Sequence, residues 1–454
     1  MIRPMNIKIA SKIIGDKIVG LKEDLENKVE ELVSPKNAPK VEDLSGDDLK
    51  KAAELLEKEL ALGSKMSIIR LVDLLVECAQ NMRASDIHID PENEVVRVRF
   101  RIDGVLQDLY TLPKTIHGEV VSRIKILSGL RTDEHQTAQD GRFRVNLPGD
   151  KNVDVRVSVI PSYHGENAVL RLLSDKAEEY SLKSLGFSEQ NQKKIIAAIK
   201  KPYGMILATG PTGSGKTTTL YTLVKMLNTK AVSIVTIEDP IEYSVGGIQQ
   251  IQVNDRTGLS FANGLRSILR QDPNIIMVGE IRDTDTASIA VNTALTGHLV
   301  LSTLHTNDAA TTLPRLLDMK VEPFLIASTV NIAIGQRLVR RICEHCKTAK
   351  KITPAEIKSL TDIMPAELMA THKVFYHGAG CDKCGNTGYQ GRIGIHEVIV
   401  VDGPVRDAIL LKVQASEIRR VAIAQGMIPM IQDGFEKAAL GITTIEEVLR
   451  MLHE

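Results

Sequence analysis

Tryptophan is absent from this chain of 454 residues, and aromatic residues make up only 3% of it. Proteins that hold single-stranded nucleic acids stack the bases on aromatic side chains, of which this sequence has few. The 57 lysines and arginines are balanced by 57 acidic residues, so the chain also lacks the excess of cations that a general nucleic-acid coat requires. The composition therefore argues against nucleic acid as a partner, while leaving room for a local basic stripe.

Long apolar runs are missing as well. The longest of them, such as residues 274–279, have the length of a strand and fall short of the roughly 18–20 residues that span a membrane. The N-terminus shows no apolar signal-peptide core followed by a cleavage site. We therefore expect a cytoplasmic protein, and its length and ordinary apolar fraction of 43% predict about three folded domains.

Cysteine is sparse: the chain has five, an odd number that does not indicate a disulfide framework in a cytoplasmic protein. Four of them form two C-x-x-C pairs, Cys343 with Cys346 and Cys381 with Cys384. Four thiolates can close a tetrahedral Zn²⁺ site, so we predict a structural zinc arm over residues 343–384. The wide separation of the pairs suggests a helical insert at about 354–372. A redox-active pair is the alternative, but two matched pairs favour a metal.

The chain divides into three segments by pattern. Residues 1–64 contain two amphipathic helical stretches separated by a proline-containing break, residues 65–176 have the pattern of a mixed α/β domain, and residues 177–454 alternate short apolar strands with helices. The last segment also contains the zinc arm and, from about 385 to 454, a mostly helical part. The sequence therefore predicts an α/β protein in which a smaller α/β domain precedes a larger one.

Four short apolar runs in the last segment have the length of strands: 205–209, 233–237, 275–278 and 299–303. Because they are continuously apolar, they are typical of strands covered on both faces of a largely parallel sheet. In the middle segment, residues 95–102 instead alternate apolar and basic side chains, and the Asp103-Gly104 pair after them predicts a tight hairpin.

A phosphate-binding loop follows the first of these runs. Residues 210–217 match G-x-x-x-x-G-K-[ST] between a predicted strand and a predicted helix, which is the context that the motif requires. Main-chain N–H groups and the helix N-terminus would hold phosphates, Lys216 would reach the β- and γ-phosphates, and Thr217 would bind Mg²⁺. We assign nucleotide binding to Gly210, Pro211, Thr212, Gly213, Ser214, Gly215, Lys216, Thr217 and Thr218. A chance glycine-rich turn is the alternative. Since an N-K-x-D motif typical of GTPases is missing, ATP is the default nucleotide.

Acidic and histidine side chains follow the other apolar runs. Glu238 ends the second run and Glu280 follows the third, so both would lie at the carboxyl edge of a parallel sheet, where ligands bind. We predict that Glu280 polarises the attacking water and that Glu238 belongs to the Mg²⁺ shell, with solvated strand-end acids as the alternative. His305 follows the fourth run and is a candidate for sensing phosphate, whereas His298 precedes that run and suits an interdomain contact.

Four boxes in this order resemble those of one protein family: Gly210–Thr219, Thr236–Glu242, Ile275–Asp283 and Thr296–Asn307. They are similar to the Walker A, aspartate, Walker B and histidine boxes of the secretion ATPases of type II secretion and type IV pilus assembly (GspE/PilB-like), over about residues 65–454. The resemblance implies an N2-type α/β domain followed by a RecA-like P-loop motor domain with a tetracysteine zinc module and a C-terminal helical region. It also implies an ATPase that couples ATP hydrolysis to mechanical work.

The resemblance further implies a homo-hexameric ring, peripheral at the inner membrane, with ATP, Mg²⁺ and Zn²⁺ as cofactors. Its partners would be an inner-membrane platform protein and cytoplasmic docking components of a pilus or secretion machine, and no nucleic acid is expected. In the family, arginines of the N2 domain approach the phosphates, and the matching positions are Arg156 and Arg171. The zinc module marks assembly and secretion motors rather than retraction motors. The short segment 1–64 departs from relatives that carry a larger domain before N2.

Two other classes of function stay open at this point. One is a nucleic-acid translocase built on the same motor fold, against which the neutral charge and the scarcity of aromatic residues weigh. The other is a scaffold with a vestigial nucleotide site, against which the intact Lys216, Thr217 and Glu280 weigh.

Overall fold

The computed structural model describes residues 47–62, 66–147, 151–174, 180–351 and 374–453. The first predicted amphipathic helix, near residues 20–32, and the helical insert predicted at about 354–372 lie outside these residues. In the part that is described, the strands form one six-stranded sheet, one seven-stranded sheet and a two-stranded ribbon.

The six-stranded sheet lies in the N-terminal half of the chain. Its strands are β1 (Ala84–Pro91), β2 (Val95–Ile102), β3 (Val105–Pro113), β4 (Gln139–Leu147), β5 (Lys151–Ser162) and β6 (Gly165–Ser174). They follow the order β3-β2-β1-β6-β5-β4, and each neighbouring pair is antiparallel. Between β2 and β3 the chain turns at Asp103 and Gly104, whose φ angles of 49° and 88° are both positive. An Asp-Gly pair tolerates this geometry, and the predicted hairpin is confirmed.

Three helices share a hydrophobic core with this sheet: α1 (Asp47–Ala61), α2 (Ile68–Asn81) and α3 (His117–Leu127). Helix α2 begins at Ser67, whose hydroxyl accepts a hydrogen bond from the main-chain N–H of Arg70. Ala52 and Leu56 of α1 are buried in the same core as the strands. The second amphipathic stretch of segment 1–64 is therefore part of the hydrophobic core of the segment that follows it.

The seven-stranded sheet contains the four predicted apolar strands. Its members are β7 (Gly204–Thr209), β8 (Ile234–Glu238), β9 (Gln249–Gln252), β10 (Ile275–Val278), β11 (Leu299–Leu304), β12 (Val330–Ile342) and β15 (Tyr389–Val400). The order is β15-β12-β7-β11-β10-β8-β9, and all pairs are parallel except β15 with β12. The predicted α/β fold with a largely parallel second sheet is confirmed.

Strand β7 shows why the runs are continuously apolar. Met205 and Leu207 belong to the core on one face of the sheet, whereas Ile206 and Ala208 belong to the core on the other face. Successive side chains of a strand point to opposite faces, so most positions of a strand covered on both faces are apolar.

Six helices within residues 177–454 are connected to these strands: α4 (Glu189–Ile199), α5 (Lys216–Leu227), α6 (Phe261–Ile268), α7 (Thr284–Leu295), α8 (Ala309–Asp318) and α9 (Pro323–Thr329). Helices α4, α6, α7 and α8 each begin at a Ser or Asp side chain that accepts a main-chain N–H of the first turn. Helix α5 instead begins after Gly215, with no side-chain cap. Its first N–H groups are therefore left without a capping side chain.

The C-terminal part begins with β15 and continues with helices. The zinc arm contributes the ribbon of β13 (Lys347–Lys351) and β14 (Val374–Gly378), and the helices are α10 (Gly403–Leu410), α11 (Ala415–Ala424), α12 (Met430–Ala439) and α13 (Ile445–His453). Phe435 of α12 and Val448 of α13 pack with Phe375 of β14, which joins the helices to the arm. Among the described residues, no helix is both long and apolar enough to cross a membrane.

Candidate active site and metal centre

The phosphate loop connects β7 to α5 at the carboxyl edge of the parallel sheet. Gly210, Gly213 and Gly215 have φ angles of 149°, 79° and 87°, a region that residues with a side chain rarely adopt. A Cβ atom on Gly210 would also lie 2.4 Å from the main-chain oxygen of Gln336. The loop therefore needs glycine both for its backbone conformation and for its close approach to β12.

The ammonium group of Lys216 lies across this loop. Its Nζ donates hydrogen bonds to the main-chain oxygens of Gly210, at 2.7 Å, and Pro211, at 2.9 Å. Burial lowers the pKa of Lys216 to about 8; the charge of Glu280 opposes this shift and that of Arg337 adds to it. A buried ammonium whose hydrogen bonds go to neutral carbonyls is well placed to exchange them for charge-assisted bonds to phosphate oxygens.

The donor set of the loop fits a nucleotide with its magnesium ion. The hydroxyl of Ser214 is buried and has no hydrogen-bond partner among the described residues. Thr217 and Thr218 follow in the first turn of α5, both half-buried. A threonine hydroxyl is an oxygen ligand of the kind that Mg²⁺ prefers, and uncapped helix N–H groups attract phosphate.

Glu280 lies just beyond β10 and contacts Arg282 of its own box and His305 of the fourth box. Its Oε1 lies 2.5 Å from Nη2 of Arg282, and its Oε2 lies 3.0 Å from Nε2 of His305, which follows the neighbouring strand β11. The structure thus brings Glu280 and His305 together at the edge of the sheet where Lys216 lies. A carboxylate, an imidazole and an ammonium at one edge are the groups that a hydrolytic site uses.

Glu238 ends β8 and is deeply buried, with 2% of its surface exposed. Its Oε1 accepts hydrogen bonds from the Thr236 hydroxyl at 2.5 Å and from the Gln250 amide at 3.2 Å, and its Oε2 accepts one from the Tyr221 hydroxyl. Burial and the charge of Glu238 raise the pKa of Tyr221 above its usual value. A magnesium ion would have to share this carboxylate with three protein donors, and its role as a metal ligand stays a prediction.

The two arginines singled out by the resemblance have different surroundings. Arg156 of β5 donates from Nη2 to the main-chain oxygen of Ile241 at 2.8 Å, and its Nη1 lies 3.5 Å from the carboxylate of Glu242. It therefore contacts the segment that follows Glu238. Arg171 of β6 donates from Nε to Asp86 of β1 at 2.9 Å, within the first sheet. The structure thus places Arg156 against the box Thr236–Glu242, whereas the contact of Arg171 stays within its own sheet.

His298 lies at the opposite edge of the seven-stranded sheet from His305. Its Nδ1 lies 3.2 Å from the main-chain oxygen of Thr293 near the end of α7, and its own main-chain oxygen accepts from Gly204 N at 3.1 Å. These contacts connect α7 to the start of β7, so both lie within residues 177–454.

The four cysteines of the two C-x-x-C pairs come together at one point. The sulfur atoms of Cys343 and Cys381 lie 3.8 Å apart, as do those of Cys346 and Cys384, and those of Cys381 and Cys384 lie 3.7 Å apart. All four sulfurs lie within 4.8 Å of one another. A tetrahedron with metal–sulfur bonds of about 2.3 Å has edges of about 3.8 Å, so the cluster fits a four-coordinate zinc ion.

Several side chains of the site were not anticipated from the sequence. Arg282 lies inside the third box, two residues after Glu280, and its positive charge there could have indicated an ion pair. Tyr221 and Gln336 belong to no motif, and Gln336 reaches the loop from more than a hundred residues away. Only the fold reveals them.

Comparison with known proteins agrees with this geometry. The model of the family described as Type II/IV secretion system protein matches residues 62–450. The chain is 49% identical over 366 residues to the type IV pilus assembly ATPase PilB of Thermus thermophilus and 43% identical over 418 residues to that of Myxococcus xanthus. It is 44% identical over 413 residues to the type II secretion system ATPase E of Vibrio cholerae.

These alignments cover different shares of the proteins. They include 81%, 90% and 90% of this chain, and 41%, 73% and 80% of the Thermus, Myxococcus and Vibrio proteins respectively. The chain thus spans less than half the length of the Thermus relative.

Solved structures give the same fold. The pilus retraction motor PilT with bound ADP superposes with a TM-score of 0.56 at 26% identity, over 84% of this chain and 96% of that one. The ATPase DotB of Legionella pneumophila reaches a TM-score of 0.62 at 24% identity, over 84% and 95%, and this likeness shows the fold alone. The family predicted from the four boxes is confirmed, and the chain belongs to the type II/IV secretion system protein family.

Proposed function

We propose that this chain is a P-loop ATPase that converts ATP hydrolysis into mechanical work for type IV pilus assembly or type II secretion. The observation that carries the proposal is the contact of Glu280 with His305, at 3.0 Å, at the sheet edge where Lys216 crosses the phosphate loop. Relatives that are named ATPases of these two machines, at 43–49% identity, support it.

The residues of the loop bind and orient the nucleotide. Lys216 and main-chain N–H groups of the loop hold the β- and γ-phosphates, and Thr217 with Glu238 supplies oxygen ligands for Mg²⁺. The ion, when bound, neutralises charge on the phosphates. The phosphates then give the buried ammonium group of Lys216 an anionic partner, which offsets the cost of burying its charge.

Glu280 acts on the attacking water. Its carboxylate is held from both sides by Arg282 and His305, which fixes the direction of its oxygens. A carboxylate fixed in this way can orient a water molecule and receive its proton. His305 connects this carboxylate to the end of β11, so a change at the phosphates is passed to the next strand.

Arg156 and Arg171 supply further positive charge to the phosphates when the first sheet moves against the motor. Arg156 already contacts the segment after Glu238, so a small rotation would carry it toward the loop. The side chain of Arg171 is 58% exposed and bonds Asp86 on its own sheet, which favours action across a contact between subunits. Arginines delivered in this way raise rates by roughly 10³–10⁵ in well-studied enzymes.

The assembly that we propose is a homo-hexameric ring in the cytoplasm, held peripherally at the inner membrane by its partners. An inner-membrane platform protein receives the work, and cytoplasmic docking components of the pilus or secretion machine position the ring. ATP, Mg²⁺ and Zn²⁺ are the cofactors, with zinc held by Cys343, Cys346, Cys381 and Cys384 as a structural ion.

Steady-state ATPase kinetics with nucleotide-binding measurements test the proposal. Glu280→Gln should lower kcat by about 10²–10⁴, the range for a general base, while ADP still binds. Lys216→Ala should weaken nucleotide binding itself. Glu417→Gln, which breaks an exposed ion pair with Arg420, is the matched control and should leave kcat unchanged. A Glu280→Gln variant with wild-type kcat would show that another group activates the water.

A second assay tests whether nucleic acid is a partner. ATPase rates measured with and without duplex and single-stranded DNA should be equal. Strong stimulation by DNA would replace the secretion motor by a nucleic-acid translocase on the same fold.

A further inference from the structure

Gln336 lies in the middle of β12, against the phosphate loop and the first turns of α5. Only 2% of its surface is exposed. Its Nε2 donates a hydrogen bond to the main-chain oxygen of Ser214 at 2.7 Å, and its Oε1 accepts one from the hydroxyl of Thr219 at 2.7 Å. One side chain therefore joins the loop to the helix that follows it.

The main chain of the loop rests directly on this residue. A Cβ atom on Gly215 would lie 2.8 Å from Nε2 of Gln336, and one on Gly210 would lie 2.4 Å from its main-chain oxygen. Leu338, which shares a face of β12 with Gln336, lies 3.6 Å from the same position on Gly215. The loop is thus seated on one face of β12, with the amide as its polar contact.

The chemistry of an amide suits this position because one donor and one acceptor are needed at the same time. A methionine has the length of glutamine but neither group, so the Ser214 oxygen would lose its donor. A glutamate would keep the acceptor for Thr219 but would place negative charge against the Ser214 oxygen. A buried carbonyl that loses its partner is costly, so the main chain at Ser214 would shift to find another.

We propose that Gln336 is a positioning residue for the nucleotide phosphates, which fixes the main-chain N–H groups of the loop in their binding directions by bridging Ser214 and Thr219. The inference rests on the proposed function, because it concerns the same nucleotide site. Gln336 acts through the loop, whose N–H groups form the phosphate cradle.

Equilibrium binding of a fluorescent ADP with Mg²⁺ tests the inference without turnover. Gln336→Met, which breaks both hydrogen bonds of the bridge, should bind about tenfold more weakly than the wild type. Its melting temperature without nucleotide should fall by only a few degrees, and its zinc content should stay that of the wild type. Gln192→Leu is the control, because Gln192 donates the same kind of bond, to the Phe187 oxygen at 2.8 Å, and neither residue belongs to the loop.

Thr219→Val supplies a second variant and a double-mutant cycle. It should weaken ADP binding, and combining it with Gln336→Met should add little, because both changes break the same bridge. Gln336→Glu should weaken binding more than Gln336→Met. If Gln336→Met fails to fold, Thr219→Val and Gln336→Glu carry the test.

Three results would overturn the inference: wild-type affinity in Gln336→Met, fully additive effects in the cycle, or an equal loss in Gln192→Leu. The proposed function fails separately, if the wild type itself binds no ADP.

Discussion

Replacing Glu447 with glutamine should loosen the C-terminal helix α13 from strand β12. The Glu447 side chain is only 2% exposed. Its Oε1 lies 2.7 Å from Nη2 of Arg340, its Oε2 accepts the main-chain N–H of Arg340 at 2.9 Å, and Arg450 approaches Oε2 at 3.1 Å. Donors of Arg340 and Arg450 thus converge on one buried carboxylate, and Arg340 lies only three residues before the predicted zinc ligand Cys343.

The size of the effect follows from this geometry. Glutamine offers one acceptor oxygen, and its amide nitrogen would face a donor of Arg340. Removing one charge from a buried pair costs about 3–5 kcal/mol, and because the Arg340 side chain is 24% exposed we expect about 3 kcal/mol. For a domain of this size that is a loss of about 6–12 °C in melting temperature.

Thermal unfolding followed by circular dichroism in zinc-containing buffer measures the loss. Glu446→Gln is the matched control, because Glu446 is 62% exposed and its ion pair with Lys350 is long, at 3.3 Å. That change should cost less than about 1 kcal/mol. Melting of Glu447→Gln within 2 °C of the wild type, or an equal loss in Glu446→Gln, would refute the reasoning from burial.

Two further predictions concern the zinc content and the stability of the protein at low pH. Cys384→Ser should reduce zinc, measured by elemental analysis, from about one ion per chain to well below that. Cys78→Ala, which changes a cysteine of α2 outside the cluster, should keep the ion, and equal loss in both variants would argue against the four-cysteine site. In the first sheet, burial opposes the ionisation of Glu166, but the ion pairs with Lys125 and His135 outweigh it and hold its pKa below the usual 4.5. The stability that this charge contributes is present above about pH 4.5 and is lost as pH falls below it. The melting-temperature difference between the wild type and Glu166→Gln should therefore shrink between pH 5 and 3.5, and an unchanged difference would contradict the assignment.

The buried strands were predictable because their physics is local. Strand β10 has the limits predicted from its apolar run, and β7, β8 and β11 differ from their predictions by about one residue. A strand covered on both faces leaves a continuous apolar signature that needs no knowledge of the neighbours. The edge strand β9, Gln249–Gln252, has a polar sequence and escaped prediction for the same reason.

The contacts of the site depend on chain geometry that the sequence does not display. The bonds of Gln336 to Ser214 and Thr219 span 122 and 117 residues, and nothing in the local pattern marks either partner. The amphipathic pattern of α1 shows that one face is covered, but it does not show that this face joins the core of the following segment. The boxes predicted which residues matter, and the fold determines what each of them touches.

The strand order has a consequence for how the chain acquires its nucleotide site during synthesis. Strand β7 lies between β11 and β12, and its last residue, Thr209, pairs with Leu304 and Gly335. Residues 210–217 therefore emerge from the ribosome long before either strand that flanks β7. Until Gln336 of β12 is made, the loop lacks the side chain that bridges Ser214 and Thr219. We therefore expect that nucleotide does not assist the folding of the residues made before β12. Chaperones that bind exposed apolar strands would meet β7 and β8 in this interval, before the sheet closes over them.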